Sequence, residues 1–85
     1  MMQDQGRPSE AGGVLDLRGL VCPMPVLRLK KALQGLEPGA VAAVLTDDPH
    51  APSDIRTFSA QSGHQVLSQE TTPEGAVISR VRRRG

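Results

Sequence analysis

Between Val14 and Leu36 the hydrophobic period changes from two residues to the helical value, and Pro23 and Pro25 mark the change. In "VLDLRGL" (Val14 to Leu20), Leu15 and Leu17 alternate with Asp16 and Arg18, which predicts a strand buried on one face. In "PVLRLKKALQGL" (Pro25 to Leu36), Val26, Leu29, Leu33 and Leu36 fall on one stripe with Ala32 beside it. Arg28, Lys31 and Gln34 lie away from that stripe. Proline has its φ preset for the first helical turn, and the N–H it lacks is one that turn does not use. The helix is therefore expected to start at Pro25 with Met24 near the cap, and "EPG" (Glu37 to Gly39) ends it.

The same reasoning carries through the rest of the chain. "AVAAVLT" (Ala40 to Thr46) is small, apolar and continuous, which suits a strand covered on one face and shielded on the other. "DDPHAPSD" (Asp47 to Asp54) turns into a second helix, with Asp48 before Pro49 as its cap or Ser53 as the cap of a later start. This helix is expected to turn Ile55, Phe58 and Ala60 or Ser62 inward and to end at Gly63. "HQVLSQE" (His64 to Glu70) and "AVISRVR" (Ala76 to Arg82) predict two strands joined by the hairpin turn "TTPEG". Their buried face is open at this point: Val66 competes with Leu67, and Ile78 with Val77 and Val81. The order βαβαββ predicts an α/β fold, a two-layer sandwich in which two helices cover one face of a mixed four-stranded sheet. Residues 14–85 form this one domain, and the polar stretch Met1 to Gly13 is expected to be a disordered tail.

Composition removes several functions. Phe58 is the only aromatic residue, so the core is aliphatic and no aromatic platform exists for stacking bases. The net charge of +1 does not suit wholesale nucleic-acid binding, and no direct nucleic-acid partner is expected. One cysteine makes neither an internal disulfide nor a thiolate metal cluster, and a lone thiol fits a reducing compartment, most simply the cytoplasm. No apolar run is long enough for a signal-peptide core or a membrane span, so no membrane partner is expected. His50 and His64 lack metal-ligand spacing, and neither a metal nor a cofactor is expected. Asp47 and Asp48 suit turn and cap chemistry before Pro49 better than acid–base work. The run "RVRRRG" (Arg80 to Gly85) is either the charged edge of a last strand or a patch for an acidic partner or RNA.

The chemistry concentrates on Cys22. A residue before proline is pushed away from the helical region, so Cys22 and Met24 are both expected to be extended. Cys22 then sits just outside the helix N-terminus, near the free N–H groups of Val26 and Leu27 and the positive end of the dipole. That setting favours a thiolate and a nucleophilic sulfur, with Arg18 and Arg28 close enough in sequence to add positive field. Pro23 and Pro25 stiffen the loop and hold the sulfur in one place. The competing reading is a small buried hydrophobe beside Leu20 and Val21, the usual fate of a free cysteine.

"LDLRGLVCPMPVLRLKKAL" resembles the signature of the small TusA-like, or SirA-like, sulfur carriers. Their hallmark is Cys-Pro-x-Pro at the first helix, here Cys22-Pro23-Met24-Pro25, after Asp-x-Arg-Gly-Leu, here Asp16, Arg18, Gly19 and Leu20. The resemblance continues at "LTDDP" (Leu45 to Pro49), Asp54-Ile55, Phe58 and "GHQV" (Gly63 to Val66). It implies that Cys22 takes a sulfane sulfur as a persulfide from a cysteine desulfurase or a rhodanese-type donor. It implies that the sulfur then passes to an acceptor protein's cysteine, in uses such as tRNA thiolation, molybdenum cofactor supply or sulfur oxidation. It implies that Pro23 and Pro25 shape the loop and that Asp48 caps or braces the second helix beside it. The product Cys–S–S⁻ is an anion that would gain from the same helix N-terminus. Whether such a carrier counts as an enzyme is partly semantic, since it is modified stoichiometrically and regenerated. The basic face of the first helix, Arg28 and Lys31 with Lys30 as a further candidate, offers a docking surface for partners, and equally a solvated face with lysines well placed near the C-terminus. Several relatives carry a second cysteine on the second helix where this chain has Ser59, so a two-cysteine cycle within one monomer is excluded. Two readings of other classes stand beside this one: an RNA-binding or regulatory module with an inert Cys22, and a thiol redox sensor.

Overall fold

The computed structural model describes residues 13–85. The expected tail, apart from Gly13, lies outside the described residues. The elements are β1 (Leu15–Asp16), α1 (Met24–Gln34), β2 (Val41–Thr46), α2 (Ala51–Ser62), β3 (Gln65–Thr71) and β4 (Val77–Arg82). The four strands form one sheet in the order β1-β2-β4-β3. β1 is parallel to β2, while β4 lies between β2 and β3 and is antiparallel to both. This is the α/β sandwich that the sequence predicts: a mixed sheet with α1 and α2 packed side by side against it. No helix among the described residues is long and apolar enough to cross a membrane.

The core lies between sheet and helices. Leu17, Leu29, Leu33, Ala42, Val44, Ile55 and Val81 fill it, and Leu15, Leu20, Val26, Leu36, Phe58 and Val66 pack around them. Alternation in β2 is strict, with Ala42, Val44 and Thr46 inward. The stripe expected on α1 is present, and Pro25 joins it as a buried residue.

Several details differ from expectation for local reasons. β1 is much shorter than "VLDLRGL" suggests, because its pairing ends with the Leu17 N–H donating to the Leu45 carbonyl at 2.8 Å. The chain then turns back on itself, Leu20 N–H to Leu17 carbonyl at 3.2 Å, with Gly19 at φ 87° in the left-handed region. α1 begins at Met24, with Pro23 at the cap and Pro25 inside the first turn. Met24 is thus helical and not extended, because its N–H closes a turn onto the Val21 carbonyl at 2.8 Å over Cys22 and Pro23, whose peptide bond is cis. On α2 the inward residues are Ala51, Ile55 and Ser59, a four-residue spacing that leaves Ala60 exposed and Ser62 half-buried.

The undecided hairpin faces are resolved by a bulge. Pairing shifts between Val66 and Ser68, so Leu67 is the extra residue and stays 40 % exposed while Val66 packs on the core. On β4, Ser79 and Val81 are buried, which puts Ile78 on the open face of the sheet. Past the bulge, Gln69 lies opposite Ser79 on the helix side. Its amide donates to the Pro52 carbonyl at 2.9 Å and to Ser79 Oγ at 3.2 Å, and accepts from Arg56 at 2.7 Å. One side chain thereby ties the first turn of α2 to the sheet.

Candidate functional site

Cys22 stands at the mouth of α1, flanked by exposed Val21 and Pro23, and is itself exposed. The buried-hydrophobe reading of this cysteine is therefore overturned. Val21 is 65 % exposed and Leu27, on the next turn, 50 %. Both are large apolar side chains left open to solvent near the N-terminal end of α1. Pro25 anchors the loop from beneath, being buried in the first turn of α1.

The electrostatics of the thiol run opposite to the sequence expectation. The Asp54 carboxylate, as hydrogen-bond acceptor for the thiol, pushes the Cys22 pKa above its ordinary value. Partial desolvation and the charges of Asp54 and Asp48 add to the same rise. The helix terminus offers less than expected, since the Leu27 N–H is already bonded to the Pro23 carbonyl at 3.2 Å and Pro25 has none. Among the described residues, no backbone carbonyl takes the Val26 N–H. Nor does Arg18 supply positive field to the thiol: its guanidinium is locked on Asp16 by bonds of 3.0 and 2.8 Å. That guanidinium and the Arg18 backbone N–H hold the Asp16 carboxyl at about 2.

The Asp-x-Arg-Gly-Leu stretch is a braced turn. Asp16 clasps Arg18 through side chain and backbone, the latter at 3.1 Å. Asp47 reaches across from the end of β2, and its Oδ1 accepts the Gly19 N–H at 2.9 Å. Asp47 was expected only to shape its own turn, and the first aspartate of "DDP" is the only local signal of this longer reach. Replacing Asp47 with Ala is expected to cost about 0.5–1.5 kcal/mol in chemical denaturation, because the bond is exposed and its loss strands no buried group.

Asp48 does not cap α2. The cap position is His50 and no side chain caps it, because the helix starts at Ala51, beyond the reach of Asp48. The Asp48 backbone carbonyl accepts the Ala51 N–H at 3.0 Å, while its half-buried carboxylate leaves Oδ2 without a partner. Ser53 does not cap either, since its hydroxyl donates to the His50 carbonyl at 3.3 Å. Asp54, in the first turn of α2, is the acid that complements the dipole, and it is also the main cause of the raised Cys22 pKa. Arg28 and Lys31 project from α1 as exposed residues. Asp48, in the loop after β2, and Asp54, in α2, thus bear on the thiol of the α1 loop, whereas Asp47 is taken up by Gly19.

Known proteins resemble this chain in sequence and in fold. The family model described as "Sulfurtransferase TusA" matches residues 13–83. "Putative sulfur carrier protein YrkI" of Bacillus subtilis is 43% identical over 65 residues, covering 76% of this chain and 84% of that one. "Sulfur carrier protein TusA" of Allochromatium vinosum is 39% identical over 61 residues, covering 72% and 78%. The crystal structure of a SirA-like protein from Desulfitobacterium hafniense superposes with a TM-score of 0.76 at 30% identity, covering 85% of this chain and 97% of that one. With the family model spanning nearly the whole described chain, this protein belongs to the TusA family of sulfur carriers.

Proposed function

We propose that this chain carries sulfane sulfur as a persulfide on Cys22, in the cytoplasm, between a donor enzyme and an acceptor protein. The observation that carries the reading is the exposed thiol at the mouth of α1, on a stretch that also exposes Val21 and Leu27. A carrier needs its sulfur reachable by two different partners, and exposed Val21 and Leu27 offer each of them apolar surface to bury.

The chemistry follows from the groups present. Cys22 reacts as its thiolate, the proton released to solvent, as a donor persulfide, R–S–SH, approaches. The Cys22 sulfur attacks the outer sulfur of the donor, the donor's S–S bond breaks, and the donor cysteine leaves as a thiolate that takes up a proton. Cys22 is then Cys–S–SH. In the second transfer an acceptor thiolate attacks that outer sulfur, and Cys22 leaves as a thiolate and recovers a proton. The protein is a stoichiometric carrier in this scheme. Pro23 and Pro25 hold the sulfur in place, Asp48 joins Asp54 in keeping the resting thiol protonated, and Arg28 and Lys31 contribute to docking. The donor class is a cysteine desulfurase or a rhodanese-type enzyme, and the acceptor presents a cysteine.

Intact mass measurement after incubation with a cysteine desulfurase, pyridoxal phosphate and cysteine tests the reading. The wild-type chain is expected to gain one sulfur that reductant removes, and Cys22→Ser to gain none. If neither a desulfurase nor a rhodanese-type donor modifies a thiol that still alkylates, the persulfide reading fails.

A further inference from the structure

A second concave surface lies at the opposite end of α1 from the thiol, about 14 Å along the helix axis from Met24 to Leu33. The last turns of α1, the end of α2 and the chain after β4 frame a half-open cleft of about 320 Å³ there. Lys30, His64, Arg83 and Arg84 line it, with Leu33 and Phe58 as an apolar wall.

Its charge is one-sided. No carboxylate is among its lining residues. The ion pairs among the described residues, Arg18 with Asp16 and Arg80 with Glu70, include none of the cleft's cations. Arg83 donates one N–H to the Leu36 carbonyl at 3.0 Å, which fixes the guanidinium and leaves the rest of its fork unused. The Arg84 side chain folds back over the C-cap of α2, its Cδ 3.4 Å from where a Cβ on Gly63 would stand. The Arg84 N–H donates to His64 Nδ1 at 3.0 Å, so the neutral imidazole keeps its proton on Nε2, a donor. The imidazole is also set against Phe58, ring centres 5.6 Å apart at 42°. Burial and then the charges of Arg84 and Arg83 push the His64 pKa below its ordinary value, which registers a positive potential that no anion offsets.

We infer that this cleft binds the phosphate group of a small phosphorylated molecule, held by Lys30, Arg83, Arg84 and His64, with its organic part against Phe58 and Leu33. Three cations, Lys30, Arg83 and Arg84, match a phosphomonoester, which carries between one and two negative charges and three acceptor oxygens, better than a carboxylate with one charge. The volume is at the small end of ligand pockets, enough for a sugar phosphate or a nucleoside monophosphate. Binding here involves no sulfur transfer, so its outcome is independent of what Cys22 does.

The test is a titration of the full reduced chain, followed by amide and His64 ring NMR signals. The ligands are inorganic phosphate, ribose 5-phosphate, AMP and, as the uncharged control, adenosine. Each phosphate compound is expected to shift the amides around His64 and Arg84 and to raise the pH midpoint of His64, because a bound anion favours the imidazolium. AMP binding tighter than inorganic phosphate shows that the apolar wall contributes, and equal binding shows that the phosphate alone is read; both support the site. Arg84→Gln and Lys30→Gln, both at exposed positions, are each expected to weaken binding about tenfold. The inference is overturned if the cleft amides do not move at about 10 mM ligand. It is equally overturned if adenosine binds as well as AMP, or if both variants bind like the wild type.

Discussion

Asp54→Asn shifts the pH profile of Cys22 alkylation to lower pH and speeds the reaction several-fold at neutral pH. The carboxylate is the largest cause of the raised thiol pKa, first as hydrogen-bond acceptor and then as a negative charge. Both effects favour the neutral thiol, and an amide removes the charge while keeping an acceptor of similar shape. The thiolate is the species that alkylates, and its fraction changes tenfold for each unit of pKa while pH stays below it. The sign is therefore fixed: the variant holds more thiolate at neutral pH, and its rate–pH curve lies to the left of the wild type. Asp48→Asn is expected to move the curve in the same direction and less far, since Asp48 acts only through its charge. The measurement is the rate of reaction with a small neutral alkylating reagent across the titration range, with unfolding midpoints recorded in parallel. Asp54 lies in the first turn of α2, so its loss costs about 0.3–1 kcal/mol of helix stabilisation, too little to unfold the chain. Superimposable rate profiles for wild type and Asp54→Asn would remove Asp54 from any role at the thiol.

This reversal of the expected thiol electrostatics shows where local sequence stops being informative. The helix-mouth position of Cys22 follows from two prolines and a hydrophobic period, which are features of one short stretch. Its charge environment depends on Asp54, thirty-two positions away, and no spacing rule links the two. The same distinction separates the other outcomes. The stripe of Leu29 and Leu33 and the alternation of β2 were legible because one residue period corresponds to one face. The face of β3 was not, because the bulge at Leu67 changes the phase of alternation halfway along the strand. Asp48 was misplaced as a cap for a related reason. Two prolines, Pro49 and Pro52, both favour a helix start, and the choice between the starts is made by packing of Ala51 and Ile55, which are 1% and 0% exposed. The Asp-x-Arg-Gly-Leu turn joins both cases: Asp16 and Arg18 pair locally, whereas the Asp47 contact to Gly19 crosses from another strand.

The position of the sulfur depends on the core beneath α1, and Leu29→Ala is expected to show how strongly. Leu29 is fully buried and lies one turn after Pro25 on the inward stripe, between the thiol loop and Leu33. Truncating it removes three carbons from a close-packed interior and leaves a cavity that neighbouring aliphatic side chains fill only in part, for a loss of about 2–5 kcal/mol. The whole stability of a domain of this size is about 5–15 kcal/mol, so the variant loses a large fraction of it. With a urea m-value of about 1 kcal/mol/M, the denaturation midpoint is expected to fall by about 2 M or more with little change in slope. Circular dichroism is the required probe, because the chain has neither tryptophan nor tyrosine to report by fluorescence. Leu27→Ala is the control on the same helix: Leu27 is 50% exposed, and a change within about 0.5 kcal/mol is expected. The two leucines are also expected to separate by function. Leu27 is an exposed apolar residue near the start of α1, so its loss is expected to weaken partner docking while stability holds. Loss of Leu29 should weaken sulfur uptake only in proportion to the unfolded fraction. Uptake by Leu29→Ala that falls well below its folded fraction would mean that α1 shifts within the folded state and carries the sulfur with it.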